Sequence, residues 1–297
     1  DMLKESLEMH RTRSRDAVML NFISAGLILQ RAERIDKVQV MDDYFMISGL
    51  LDQLEGTSSR WDRARSANDD MILKEDILTC VGLDLYFGPR FDTHREDRDL
   101  LEKMISYYES SGCNQSDFYL AASESLYNMD PDSESAHQLA LLFIGREDLE
   151  KATFYLQMAL FDDKLSGETR ADWNYKLSII SLAREEHCEA IEFARESLAN
   201  LDNYGKAYMV LGDAFIAARK QLGDDFQQRT AYWAAADKYA AAAKMDPSLA
   251  EESEEKLASC TAQFPNKEDI FFQDYRLGNS FRVGGCIQEN TTIRSRD

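Results

Sequence analysis

The sequence predicts an all-α fold, a right-handed superhelical solenoid of antiparallel helix pairs. Three observations carry this. Small and large apolar residues recur at a near-constant step along the chain. Helix breakers are scarce, with 4 Pro and 14 Gly in 297 residues. Hydrophobic residues make up 44%, enough for a packed core.

The repeat is clearest over Gly205 to Pro247. Tyr208, Leu211 and Phe215 stand at i, i+3 and i+7 and share one helix face. Gly212 is small enough to admit a second helix, whose matching face carries Ala235, Tyr239 and Ala242. Pro247 cannot continue that helix. This is the tetratricopeptide (TPR) pattern of a 34-residue helix–turn–helix. Moving back 34 residues from Gly212 reaches Ser178, with Leu177, Ala190 and Ser197 around it. A further 38 reaches Ala140, among Ala136, Leu139, Phe143, Ala152, Leu156 and Ala159. Ser178 to Ala190 and Ala140 to Ala152 both span 12 residues, whereas Gly212 to Ala235 spans 23. The surplus, at about 219–230, either sits in the turn or lengthens both helices.

Taken in order, Met2 to Arg15 reads as the end of a charged helix. Ala17 to Arg31 and Val38 to Leu54 form one degenerate pair, the second with Met41, Tyr44, Phe45, Ile47 and Leu51 as its buried stripe. Gly56 to Ser59 breaks the pattern, and Trp61 to Asn68 is expected as helix. Lys74 to Phe87 is a helix ended by Gly88-Pro89. Arg95 to Ser110 is closed by Gly112. Ser116, an N-cap residue, opens a helix to Met129. Residues 1–131 thus form degenerate repeats and 132–247 three clearer units. Their helices fall near 133–145, 148–161, 171–184, 187–201, 204–219 and 228–245. Met129-Asp130-Pro131 and Met245-Asp246-Pro247 repeat the same punctuation. Residues 248–297 hold a capping helix (Ser248 to Gln263), a short aromatic helix (Lys267 to Leu277) and a tail. A solenoid needs the cap because its last pair otherwise exposes an apolar face. Phe281, Val283, Ile287, Thr291, Thr292 and Ile293 favour an extended tail or short hairpin docked on the last helices.

A formal charge of −20 sets aside nucleic acid and anionic membrane as partners. No 18-residue apolar run exists to span a bilayer. The chain opens at Asp1 without a signal-peptide pattern. A removed leader and further N-terminal repeats are the two expectations, and the residues do not decide between them. The five cysteines are odd in number and lack C-x-x-C spacing, against a zinc site or a disulfide-stapled fold. Cys80, Cys188 and Cys260 read as small buried apolar residues. Cys80 and Cys113, 33 apart, also stand one repeat apart, the spacing of a bridge between neighbouring units.

Within about Asn114 to Arg294, the stretches Tyr232 to Tyr239, Asp246 to Glu252, Phe264 to Phe272, Gly278 to Gly285 and Glu289 to Arg294 are more specific than the generic repeat spacing. Through them this part of the chain resembles a family of exported bacterial TPR proteins of the cell envelope. The resemblance implies the fold, a location in the envelope or periplasm rather than the cytoplasm, and little chemistry. It also implies Trp where this chain has Cys286.

Chemistry is sparse. There is no phosphate-binding Gly-rich loop and no G-x-S-x-G elbow. His10, His94, His137 and His187 are scattered, and adjacent His187 and Cys188 point about 100° apart on a helix. The carboxylates read as solvated helix faces. Asn114-Gln115-Ser116 and Asn290-Thr291-Thr292 match the glycosylation acceptor pattern, which is common by chance. No cofactor, metal or catalytic set is expected. What remains is the concave face lined by the first helix of each pair. Its positions are Glu134, His137, Leu141 and Ile144, then Asp172, Tyr175, Ile179 and Leu182, then Lys206, Met209, Asp213 and Ile216. Tyr175, Ile179, Met209 and Asp213 stand where carboxylate-gripping TPR proteins place Lys and Asn, so no carboxylate clamp is expected. His137, Leu141, Tyr175, Ile179, Met209 and Asp213 are the candidate partner-binding residues, for a basic or amphipathic peptide. Against this, Leu141, Ile179 and Ile216 can simply pack between neighbouring first helices. The expected function is a non-catalytic scaffold or adaptor. The rivals are a self-associating envelope subunit and, remotely, a hydrolase with an unrecognised site.

Overall fold

In a computed structural model, residues 5, 7, 9, 10, 14–54 and 56–296 are described. The expected helix over Met2 to Arg15 lies mostly outside them. The chain divides into two compact units, Asp1–Pro131 and Asp132–Asp297.

The first unit holds α1 (Asp16–Arg31), α2 (Lys37–Asp52), α3 (Ser59–Leu73), α4 (Cys80–Thr93), α5 (Arg98–Ser110) and α6 (Asp117–Met129). Helices α1 and α2 pack on each other, and α3 packs on both. Helix α4 packs on α2, α5 and α6. Aromatic rings fill the centre. Phe45 lies 4.6 Å from both Tyr86 and Tyr107, and Phe87 lies 5.3 Å from Phe45. Three expectations need correction. Helix α4 begins at Cys80 rather than Lys74, because the Thr79 hydroxyl caps it by accepting from the Gly82 N–H. It also runs through Gly88-Pro89 to Thr93. Phe87 and Phe91, buried on either side of Pro89, hold the helix together across the missing N–H. Gly88 faces the Phe118 ring so closely that a Cβ would lie 2.7 Å from it. Third, Cys80 is exposed, and a disulfide joins it to the buried Cys113 with Cα atoms 5.3 Å apart.

The second unit is a solenoid of antiparallel pairs: α7 (Ser133–Gly145) with α8 (Leu149–Ala159), α9 (Gly167–Ala183) with α10 (His187–Asn200), and α11 (Gly205–Ala218) with α12 (Asp225–Met245). The small residues of the repeat lie where the helices touch. Ala140 and Ala152 are fully buried. The Ser178 hydroxyl donates to the Ala190 carbonyl at 2.7 Å, and Ser197 to the Ala171 carbonyl at 2.7 Å. Gly212 lies under Tyr239, where a Cβ would stand 2.6 Å from the ring. Glu147 and Glu185 turn the first two pairs with φ of 61° and 62°. The surplus residues of the third pair divide between a 3₁₀ turn, Arg219–Gln221, and extra length at the start of the 21-residue α12. There Asp224 and Gln227 form a capping box.

A 3₁₀ turn, Pro247–Leu249, leads into α13 (Ala250–Ala262), which packs on α12. After α14 (Lys267–Phe272), β1 (Ser280–Arg282) pairs antiparallel with β2 (Asn290–Thr292). This hairpin docks on α12. The Trp233 indole donates to the Arg294 carbonyl at 2.7 Å, and Arg294 pairs with Asp237 at 2.8 Å. Val283, Ile287 and Ile293 are buried beneath it. A second disulfide, Cys188–Cys286, spans 98 residues and ties the start of α10 to the hairpin loop. So Cys188 is no buried apolar residue either, and the chain is disulfide-stapled after all. Of the three cysteines expected to be buried, only Cys260 is free and fully packed.

Candidate functional site

A groove of about 390 Å³ opens between α9, α11 and the start of α13. Helical spacing puts Tyr175, Ile179 and Leu182 on one face of α9. On α11, Lys206, Met209, Val210 and Asp213 line the opposite side, and Leu249 and Glu252 close it. The structure therefore brings together four of the six candidate residues: Tyr175, Ile179, Met209 and Asp213.

Their availability differs. Ile179 is 43% exposed and Tyr175 half-buried, its ring edge-on to Tyr204 with centroids 5.5 Å apart. The Tyr204 hydroxyl donates to Asp172 at 3.1 Å. Burial first, then the neighbouring Asp172, pushes the Tyr204 phenol above its usual range. Met209 is only 7% exposed and accepts from the Ser253 hydroxyl at 3.2 Å, so it forms the floor of the groove. Asp213 is engaged within the protein. It accepts from Lys256 at 2.6 and 2.7 Å and from the Tyr239 hydroxyl at 2.6 Å.

His137 and Leu141 lie on α7, outside the groove. The His137 ring stacks on Trp173 with centroids 4.6 Å apart. Burial, then Lys176, lowers its pKa. Leu141 remains 38% exposed. Leu141 and Ile179 are thus not used up between neighbouring first helices, while the half-buried Ile216 joins the core.

Sequence reasoning missed the contribution of α13. Read only as a cap, it also supplies a wall: Glu252 at the rim, Ser253 against Met209, and Lys256 on Asp213. The signal was present in Asp246-Pro247, the same punctuation that precedes α7 at Asp130-Pro131. Helix α13 takes the place of a further first helix.

Among the described residues, no three His, Cys, Asp or Glu converge where a metal ion could sit, and no helix is long and apolar enough to cross a membrane. The arrangement offers an apolar trough with a Glu252 rim and one exposed cation, Lys206.

The three helix pairs have the step and pairwise packing expected of a TPR-like solenoid. No family model matches the chain, and no curated protein matches it. Solved structures similar to it include two crystal structures of MamA. One is 17% identical, covering 61% of this chain and 96% of that one, with a TM-score of 0.39. The other is 18% identical, covering 62% and 90%, with a TM-score of 0.40. YrrB, described as a TPR protein with an unusual peptide-binding site, is 14% identical, covering 64% and 84%, with a TM-score of 0.40.

Proposed function

We propose that this chain is a non-catalytic protein-interaction scaffold that holds an amphipathic helix or apolar, basic peptide of a partner in the α9–α11–α13 groove. The observation that carries this is the pairing of exposed Ile179 and half-exposed Tyr175 above an apolar floor of Met209 and Val210, rimmed by Glu252. Such a trough accepts the apolar stripe of a helix, and the rim favours a basic residue beside it. The net charge of −20 steers the same kind of partner and opposes nucleic acid. The two disulfides support an oxidising compartment, consistent with the envelope or periplasm that the tail's family resemblance implies, over the cytoplasm.

The test places a photo-crosslinking amino acid at Ile179 and compares it with the same chain carrying Tyr175→Asp. A partner crosslinked by the first and lost with the second, at unchanged circular dichroism, supports the groove. Equal crosslinking by both overturns it. Self-association is the second reading, favoured by adjacent Phe271 and Phe272, which are 75% and 79% exposed. Light scattering that stays monomeric over a wide concentration range removes it.

A further inference from the structure

A second cavity lies wholly within the first unit, between α2, α3 and α5, with a volume of about 560 Å³. That is within the usual range for small-molecule sites, roughly 300–1,000 Å³. Its charges are unequally satisfied. Arg65 pairs with Asp52 on one side and Asp69, at 3.3 Å, on the other. The Tyr44 hydroxyl also donates to Asp69, at 2.9 Å. Those groups hold one another.

Lys103, on α5, is different. Its side chain is half-buried in the cavity wall and its ammonium sits 4.8 Å from the centre of the Phe45 ring. Among the described residues no carboxylate stands within salt-bridge distance of it. Burial, then the Arg65 charge, lowers its pKa. A cation withdrawn from water is costly unless an anion compensates it, and the ring face compensates only in part. Tyr44, Tyr107, Leu73 and Leu78 supply the aromatic and apolar part of the lining, and the rest of it is charged or hydroxyl-bearing. Asp99 and Glu102 stand exposed at the cavity lining, and Glu102 is met by Arg98 at 3.5 Å. They oppose a doubly charged phosphate more strongly than a single negative charge.

We propose that this cavity binds a small organic monoanion, a carboxylate with an aromatic body, whose carboxylate pairs with Lys103 while its ring packs against the edge-to-face pair of Tyr44 and Tyr107, whose centroids are 6.0 Å apart. This site is independent of the peptide groove.

The experiment titrates benzoate and phenylacetate, and the neutral isostere benzamide, into the full chain by calorimetry, with saturation-transfer NMR as a second readout. Both carboxylates are expected to bind and benzamide to bind at least about tenfold more weakly, the scale of one charge-assisted hydrogen bond. Lys103→Met, which keeps the aliphatic volume, is expected to lose about tenfold in carboxylate affinity. Lys103→Arg is expected to retain binding. Ser106→Trp changes an exposed lining residue of α5 and fills the cavity without touching the charge, and it is expected to abolish binding. No binding of either carboxylate to the native chain overturns the proposal. So does equal binding of benzamide, or carboxylate binding that either the Lys103→Met or the Ser106→Trp chain leaves unchanged.

Discussion

The Asp213 carboxylate of α11 receives the Lys256 ammonium of α13 through both oxygens, at 2.6 and 2.7 Å. This contact joins α13 to α11 beside the groove. Both side chains remain about one-third exposed, so the ion pair itself is screened and contributes about 1 kcal/mol or less. Asp213 does more than pair. The buried Tyr239 hydroxyl also depends on it.

The two partners are therefore unequal. Lys256→Met is expected to cost about 0–1 kcal/mol in urea unfolding. Asp213→Ala strands the Tyr239 hydroxyl and is expected to cost more, about 1–3 kcal/mol. Lys256→Met also leaves Asp213 and Glu252 uncompensated at the groove, so a basic peptide ligand is expected to bind it more tightly than the native chain. Equal unfolding costs for the two variants would contradict the role given to Tyr239.

Gly212 and Ser178 hold the same place in successive pairs and fill it differently. Gly212→Ala drives a Cβ to 2.6 Å from Tyr239 and is expected to cost about 1–3 kcal/mol through overpacking. Ser178→Ala removes the bond to the Ala190 carbonyl and leaves that acceptor with less. It is expected to cost about 1 kcal/mol. Thermal unfolding followed by circular dichroism measures both. A Gly212→Ala chain as stable as the native one would mean the α11–α12 contact is looser than the geometry states.

This register was legible because it depends on residue size alone. Ala140, Ser178 and Gly212 announce themselves at the right step, and the pair contacts follow. Two things were not legible and a third only in part. Pro89 reads locally as a stop, yet the helix continues because distant rings bury Phe87 and Phe91. The Cys188–Cys286 bridge joins residues 98 apart, and only the docking of the hairpin on α12 brings them together. The groove was half legible. Helical periodicity placed Tyr175, Ile179, Met209 and Asp213 on facing surfaces. It could not show that Met209 sinks to the floor or that Asp213 is taken by Lys256, since both depend on how α13 packs.

The cysteines give a sharp chemical expectation. The structure has two disulfides and one free thiol, Cys260, which is fully packed and whose pKa is pushed up to about 12, first by burial. The native chain at pH 8 is expected to react negligibly with iodoacetamide, because little thiolate exists there. Denatured without reductant it is expected to take up one equivalent, and after reduction five. Cys188→Ser with Cys286→Ser opens a long loop and is expected to lower stability by about 2–4 kcal/mol. More than one equivalent before reduction would show that a bridge is missing.

The groove itself is best tested where exposure and contact coincide. Tyr175 and Met209 carry equal weight in the sequence, but Met209 is buried, so a charge there is expected to destabilise α11 by about 2 kcal/mol or more and to confuse folding with binding. Ile179→Asp with Tyr175→Asp places two charges on the open face of α9 instead. Tyr175 packs partly against the core, so unfolding is expected to shift by about 1–2 kcal/mol while the fold is kept. Binding of an amphipathic helical peptide selected against the native chain is expected to fall by at least about tenfold, the consequence of losing two apolar contacts. His137→Gln, on α7 outside the groove, is expected to leave that affinity unchanged. If His137→Gln weakened the peptide and the α9 variant did not, the partner would lie along α7 rather than between α9, α11 and α13.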